Sequence, residues 1–274
     1  MANFRDIVFD NKSLNSLGFF LKKETPIINF ANKEVELKQV AGAINGEEPD
    51  NTSSFRNIEK VYNFKTIPSK IPYEEDKFLK VLTDWLYSHY NEEYYKLIDT
   101  AKKGYFYKAF LKNVGELKKS YPGCYELTLT FSAKPYMYSI VGANEFTAES
   151  ELGVTAGIEL ENPEIYNSYP LIKISRTDRY PERIRSCFVN VTTYTTGEPV
   201  SKEIVISDLP YPEIIIDSEL QNVYYETHAL NNLINFGSGA EFPVLLKGKN
   251  LITFEPTVAG ETYTLTVIPR WRCL

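Results

Sequence analysis

The sequence predicts a mainly β protein in two parts. Residues 1–140 read as a β-rich N-terminal domain with one α-helix, and residues 141–274 as an antiparallel β-sandwich. Three observations carry this. Apolar and polar residues alternate with the period of a strand through most of the chain. A single stretch, residues 73–90, shows helical periodicity instead. Beyond residue 145 strand-like runs recur at fairly even spacing, divided by turn residues.

The first runs, "FRDIVFD", "LGFFLKKETPIINF" and "EVELKQV", are strand candidates interrupted by Asn, Gly and Pro. "INGEEPDNTSSFRN" has the polar composition of an exposed loop or arm. "VYNFKTIP" resumes the strand pattern. In "YEEDKFLKVLTDWLYSHY", Phe78, Val81, Leu82, Trp85 and Leu86 recur at spacings of three and four, which makes one apolar face. Pro72 precedes this helix, and Glu74, Glu75 and Asp76 crowd its first turn, where the helix dipole favours anions. His89 is expected to pack or cap at its end. "EYYKLID", "GYFYKAFLKNV" and "CYELTLTFSA" follow as antiparallel strands, and Pro135 and Gly142 are expected to break regularity at the boundary.

In the second part the candidates are "YPLIKIS", "RIRSCFVNVTTY", "KEIVISDL", "EIIIDSELQNVYYE", "FPVLLKG", "NLITFEP" and "TYTLTVIPRW". Lys247, Gly248, Lys249 and Asn250 are turn-forming residues, so "FPVLLKGKNLITF" reads as a hairpin. It is not a phosphate loop, because no upstream glycine has the required spacing and a strand follows. "HALNNLINFGSGAE" is a long loop or one helical turn.

Composition narrows the function. The chain has 274 residues and a formal charge of −6, so it lacks the basic surplus of a protein that grips nucleic acid. Its short basic clusters, Lys22-Lys23, Lys102-Lys103, Lys118-Lys119 and the arginines between 176 and 185, read as solvated or strand-edge charges. There are 20 Tyr and 16 Phe against 2 Trp, which suits half-buried sheets and contact surfaces. Cys124, Cys187 and Cys273 are odd in number and far apart, as free thiols of a reducing compartment would be. Two histidines, His89 and His228, cannot assemble a zinc set with them. No G-x-S-x-G elbow is present, and "GSGAEF" (residues 237–242) lacks the third glycine of a dinucleotide loop. No catalytic, cofactor or metal site is therefore expected, and no secretion signal or membrane span is read in the sequence. A glycan-binding alternative rests on Trp271 between Arg270 and Arg272, and on "NVYYETHALNN" (residues 222–232).

An ordered set of residues adds a family. The block "FLKVLTDWLYSHYNEEYYKLIDTAKKGYFYKAFLKNV" running into "GCYELTLTFSAKPYMYS" resembles the N-terminal domain of the distal tail protein (Dit) family of long-tailed bacteriophages. Its marks are Trp85-Leu86, the run Tyr105 to Leu111, and Phe131, Pro135 and Tyr136. "SYPLIKIS", "EIIIDSELQNVYYE", "EFPVLLKGKNLITF" and "TLTVIPRWR" resemble the family's galectin-like domain. Residues 41–57 depart from the compact glycine-containing loop of many members, being longer and more acidic. The resemblance implies a non-enzymatic virion protein of the tail tip or baseplate, made in the bacterial host cytoplasm. It implies a homo-hexameric ring, formed by residues 1–140, that joins the tail tube protein to the tail-tip hub protein. Residues 141–274 would be an outward docking platform for receptor-binding proteins in host adsorption. DNA would pass through the channel without specific binding, and the protein would not insert in membranes.

Overall fold

The computed structural model describes residues 5–22, 37–39, 47–49, 55–71, 74–91, 93–151, 155–178, 183–185, 187–194, 199–236, 241–258 and 260–274. Contacts divide the chain into two compact units, Met1–Met137 with Leu274, and Tyr138–Cys273.

The first unit is built from strands β1 (Ile7–Phe9), β2 (Lys12–Ser13), β3 (Phe19–Leu21), β4 (Leu37–Gln39), β5 (Glu47–Pro49) and β6 (Ile58–Thr66). Helix α1 (Glu75–Ser88) follows, then β7 (Tyr95–Asp99), β8 (Tyr105–Val114), β9 (Lys118–Tyr121) and β10 (Cys124–Ser139). The main sheet has the order β2-β1-β7-β8-β10-β6-β3, with β9 hydrogen-bonded to β10. β4 and β5 form a separate antiparallel pair, Leu37 opposite Pro49. The segment read as a polar loop thus contains a strand at Glu47–Pro49; its neighbours at 44–46 and 50–54 lie outside the described residues.

Strand period explains the layering. On β6, Ile58, Lys60, Tyr62, Phe64 and Thr66 all turn to the buried side, while Glu59, Val61 and Lys65 face out. α1 closes over that side with Phe78, Leu82 and Leu86, four residues apart and all buried. Phe78 meets Phe19 at 5.6 Å between ring centroids, and Phe9 meets Phe131 at 4.8 Å. Each such buried side chain contributes about 1.5–3 kcal/mol of transfer free energy. β10 is longer than the sequence predicts, continuing through Pro135 to Ser139. Its pairing with β6 stops at Ala133, so the missing N–H of Pro135 removes no bond to that neighbour.

The second unit contains β11 (Phe146–Glu151), β12 (Ala156–Asn162), β13 (Leu171–Arg176), β14 (Cys187–Thr193), β15 (Val200–Ile206), β16 (Glu213–Asp217) and β17 (Asn222–Tyr225). β18 (His228–Ala229), β19 (Ile234–Asn235), β20 (Gly248–Pro256) and β21 (Thr262–Ile268) follow. They form two antiparallel sheets, β11-β21-β13-β16-β17-β18 and β12-β20-β14-β15-β19. Ile174, Ile214, Ile216, Leu265 and Val267 from the first share one buried core with Ile158, Val189, Val191, Ile252 and Phe254 from the second. This is a β-sandwich with one apolar face per sheet.

Three expectations are corrected here. "EIIIDSELQNVYYE" is two strands, β16 and β17, because the carboxylate of Asp217 caps a turn by accepting the N–H groups of Glu219 (3.0 Å) and Leu220 (3.1 Å). β11 and β12 occupy residues to which the sequence assigns no strand. "FPVLLKGKNLITF" is not a hairpin. Pro243 brings no N–H to the "FPVLLKG" run, and Leu245 makes only an isolated bridge to Ser168. The Asn250 amide holds Leu246 O at 2.9 Å and Gly248 O at 2.8 Å, turning the chain directly into β20.

None of Cys124, Cys187 and Cys273 is in a disulfide. Burial, with the nearby Glu261 carboxylate, pushes the Cys187 thiol up to about 12. Since the thiolate is the reacting species, Cys187 is expected to resist a thiol-reactive dye in the native protein and to label only on unfolding. Mass spectrometry of the labelled peptides reads this directly. Native labelling of Cys187 at the rate of Cys124 would contradict its place in the core.

Candidate functional site

Among the described residues no group of three or more His, Cys, Asp and Glu side chains is placed to hold a metal ion. His89 caps α1. Its Nδ1 lies 2.8 Å from Trp85 O and its Nε2 3.0 Å from the Asp10 carboxylate. The rings of Phe9, Trp85 and Tyr95 surround it at 5.0–5.7 Å. Both imidazole nitrogens are thus committed to oxygens, which makes His89 a packing residue, as the sequence predicts. His228 is exposed and stacks on Tyr211 at 5.4 Å, which in turn stacks on Tyr225 at 5.0 Å. The segment 222–232 therefore carries an aromatic row. The fragment 237–240 lies outside the described residues.

Several residues of the basic clusters carry matching acids. Lys22 pairs with Glu126 at 2.8 Å, Lys118 with Glu116 at 3.8 Å, and Lys119 with Glu75. Arg176 bridges Asp178 at 2.5 Å and the buried Glu261 at 2.9 Å. Glu261 also accepts the Tyr263 hydroxyl at 2.6 Å, and burial together with that bond raises the phenol above its usual range. Lys22, Lys118, Lys119 and Arg176 are thus each matched by a carboxylate.

The first unit buries a charge cluster that the sequence reading missed. Asp99, 2% exposed, accepts two bonds from the Arg5 guanidinium at 2.9 and 2.5 Å. The Tyr62 hydroxyl lies 3.4 Å from the same carboxylate. Lys60, also 2% exposed, places its Nζ 4.1 Å from the centroid of Tyr107. Its position as a charged residue on the inner face of a strand was the signal. An apolar groove of about 460 Å³ lies beside α1, walled by Leu82, Leu86, Tyr87, Tyr90 and Leu117. Tyr87 and Tyr90 are 75% and 56% exposed.

In the second unit Trp271 is 3% exposed and belongs to the sandwich core. It presents no free ring face, so the glycan alternative cannot rest on it. Its flanking arginines are occupied: Arg270 makes a two-pronged contact with Asp217 at 2.7 and 2.9 Å, and Arg272 donates to Asn167 O at 2.7 Å. A groove of about 490 Å³ lies at the end of the sandwich, beside the turn from β16 to β17.

The geometry defines a class first: a two-unit, mainly antiparallel β protein whose second unit is a β-sandwich. No family model and no curated relative matches the sequence. Among solved structures, the chain is similar to the crystal structure of the Dit (gp 19.1) protein of SPP1, described as a paradigm of hub adsorption apparatus in phages infecting Gram-positive bacteria. The TM-score is 0.59 at 12% identity, over 99% of this chain and 100% of that one. At that identity the likeness is one of fold.

Proposed function

We propose that the protein is a non-enzymatic structural component of a bacteriophage tail tip, acting as a hub of the host-adsorption apparatus. The observation that carries this is the end-to-end likeness of fold to the SPP1 hub protein, with neither chain leaving a domain unmatched. The finer reading has residues 1–140 closing a six-membered ring between the tail tube and the tail-tip hub protein. Residues 141–274 form a galectin-like platform for docking receptor-binding proteins. DNA traverses the ring without specific binding. In the virion the protein sits at the tail tip, after synthesis in the host cytoplasm.

Two features support the reading. A closed ring needs heterologous contacts, one patch meeting a different patch on the next copy. The exposed tyrosines 87, 90 and 121 of the first unit supply the kind of area that such contacts use. A net charge of −6 also suits a channel wall that must release DNA.

The test is the mass of the purified protein by light scattering over a wide concentration range, with electron micrographs of the largest species. Closed six-fold rings are expected. A strict monomer at every concentration counts against autonomous ring closure.

A further inference from the structure

We propose that the second unit carries a binding groove for a neutral pyranoside, with Tyr169 and Phe242 as stacking walls and Ser218, Gln221 and Glu241 as hydroxyl readers. All five line the groove of about 490 Å³ at the end of the sandwich. Its size falls within the roughly 300–1,000 Å³ of small-molecule sites.

Both walls are held before any ligand arrives. The guanidinium of Arg272 lies 4.4 Å from the Tyr169 ring centroid, and Asn167 O fixes that guanidinium in turn. Phe236 supports Phe242 at 4.5 Å. A flat ring face suits the C–H face of a pyranose, while side-chain amides and carboxylates suit its hydroxyls.

Two of the polar groups are set apart by their environment. Ser218 is 2% exposed, yet its hydroxyl has no hydrogen-bond partner. Buried hydroxyls in folded proteins are nearly always satisfied. Gln221 stands in the left-handed region, with φ of 50°, where glycine or asparagine is the ordinary choice. Strain of this sort persists only where the surroundings impose it. Here Asp217 does so: it caps the turn and is itself clamped by Arg270 at 2.7 Å.

Charge and shape select the ligand class. Glu241 at the lip is paired with Lys202 at 2.6 Å, so the rim is balanced and offers no attraction to an anion. An apolar side chain in the groove would leave the Ser218 hydroxyl without a partner. A second groove of about 240 Å³ shares Glu241 and Val244, which allows more than one sugar ring. Trp271 takes no part, and the proposal does not depend on the tail-hub reading.

The test titrates the full chain with lactose, chitotetraose and cellotetraose, followed by calorimetry and saturation-transfer NMR at low and high salt. Saturable, salt-insensitive binding of at least one sugar is expected. Tyr169→Ala, Phe242→Ala and Gln221→Ala should each weaken it about tenfold. Gln221 is exposed, so the thermal unfolding of Gln221→Ala should match that of the parent and separate binding from folding. Failure of all three sugars to bind saturably overturns the proposal. Affinity unchanged in all three variants does too, as does salt-dependent binding confined to a charged polymer such as polyglycerol phosphate.

Discussion

Gly142→Ala is expected to destabilise the second unit by about 3 kcal/mol or more, near the upper end of overpacking costs. A Cβ at this position would lie 2.6 Å from the backbone N of Trp271 and 2.8 Å from its Cβ and Cδ1. Neither side can give way alone. Arg270 N donates to Gly142 O at 2.7 Å, and Ser139 N donates to Trp271 O at 2.8 Å, which locks the two segments together. Trp271 cannot swing aside either, because it is enclosed in the core. Glycine is required here by close approach rather than by φ, so Gly142→Ser should fail in the same way. Urea unfolding followed by fluorescence reads the cost, with Gly260→Ala as the contrast, where an added Cβ meets nothing within 4 Å and only the φ of 78° is strained. A Gly142→Ala protein as stable as the parent would mean that the backbones of 142 and 271 do not touch.

Pattern and chemistry were legible in unequal measure. The helix was readable because Phe78, Leu82 and Leu86 repeat at its own period, and the central strands because their inner faces are apolar. β11 and β12 were not. Each ends a sheet, and the outward positions hold Glu149, Glu151, Glu159 and Glu161, charges that blunt an edge against foreign strands but hide the strand in the sequence. Trp271 drew notice as a possible sugar platform because it sits between arginines, but whether a side chain just past the end of β21 is buried depends on partners such as Gly142, far away in sequence. The groove residues Tyr169, Ser218, Gln221 and Phe242 come from three separate segments. Nothing in their local sequence brings them together; only the sandwich does.

Lys60→Met is expected to stabilise the first unit at neutral pH, by about 1–3 kcal/mol, the range for replacing a buried charge with an apolar side chain of similar volume. The ammonium lies on the inner face of β6, and burial lowers its pKa from the ordinary 10.5 to about 8, against the attraction of Asp99. The sign follows from linkage. Between about 8 and 10.5 the unfolded chain holds this proton more tightly than the folded one, so parental stability rises with pH across that window. At about 1.4 kcal/mol per pH unit the full gain is ~3 kcal/mol. Below pH 8 the cost of the buried charge is present in full; above 10.5 it is gone. Lys60→Met lacks this titration, so its advantage should be largest at pH 7 and shrink steadily toward pH 10. Asp99 remains paired in the variant, since Arg5 grips both of its oxygens. Tyr62, whose phenol burial holds well above 10, acts in the opposite direction but only at higher pH, and equally in both proteins. Denaturant unfolding of parent and variant at a series of pH values decides the matter. A stability difference that stays constant from pH 7 to pH 10 would show that Lys60 carries no buried charge.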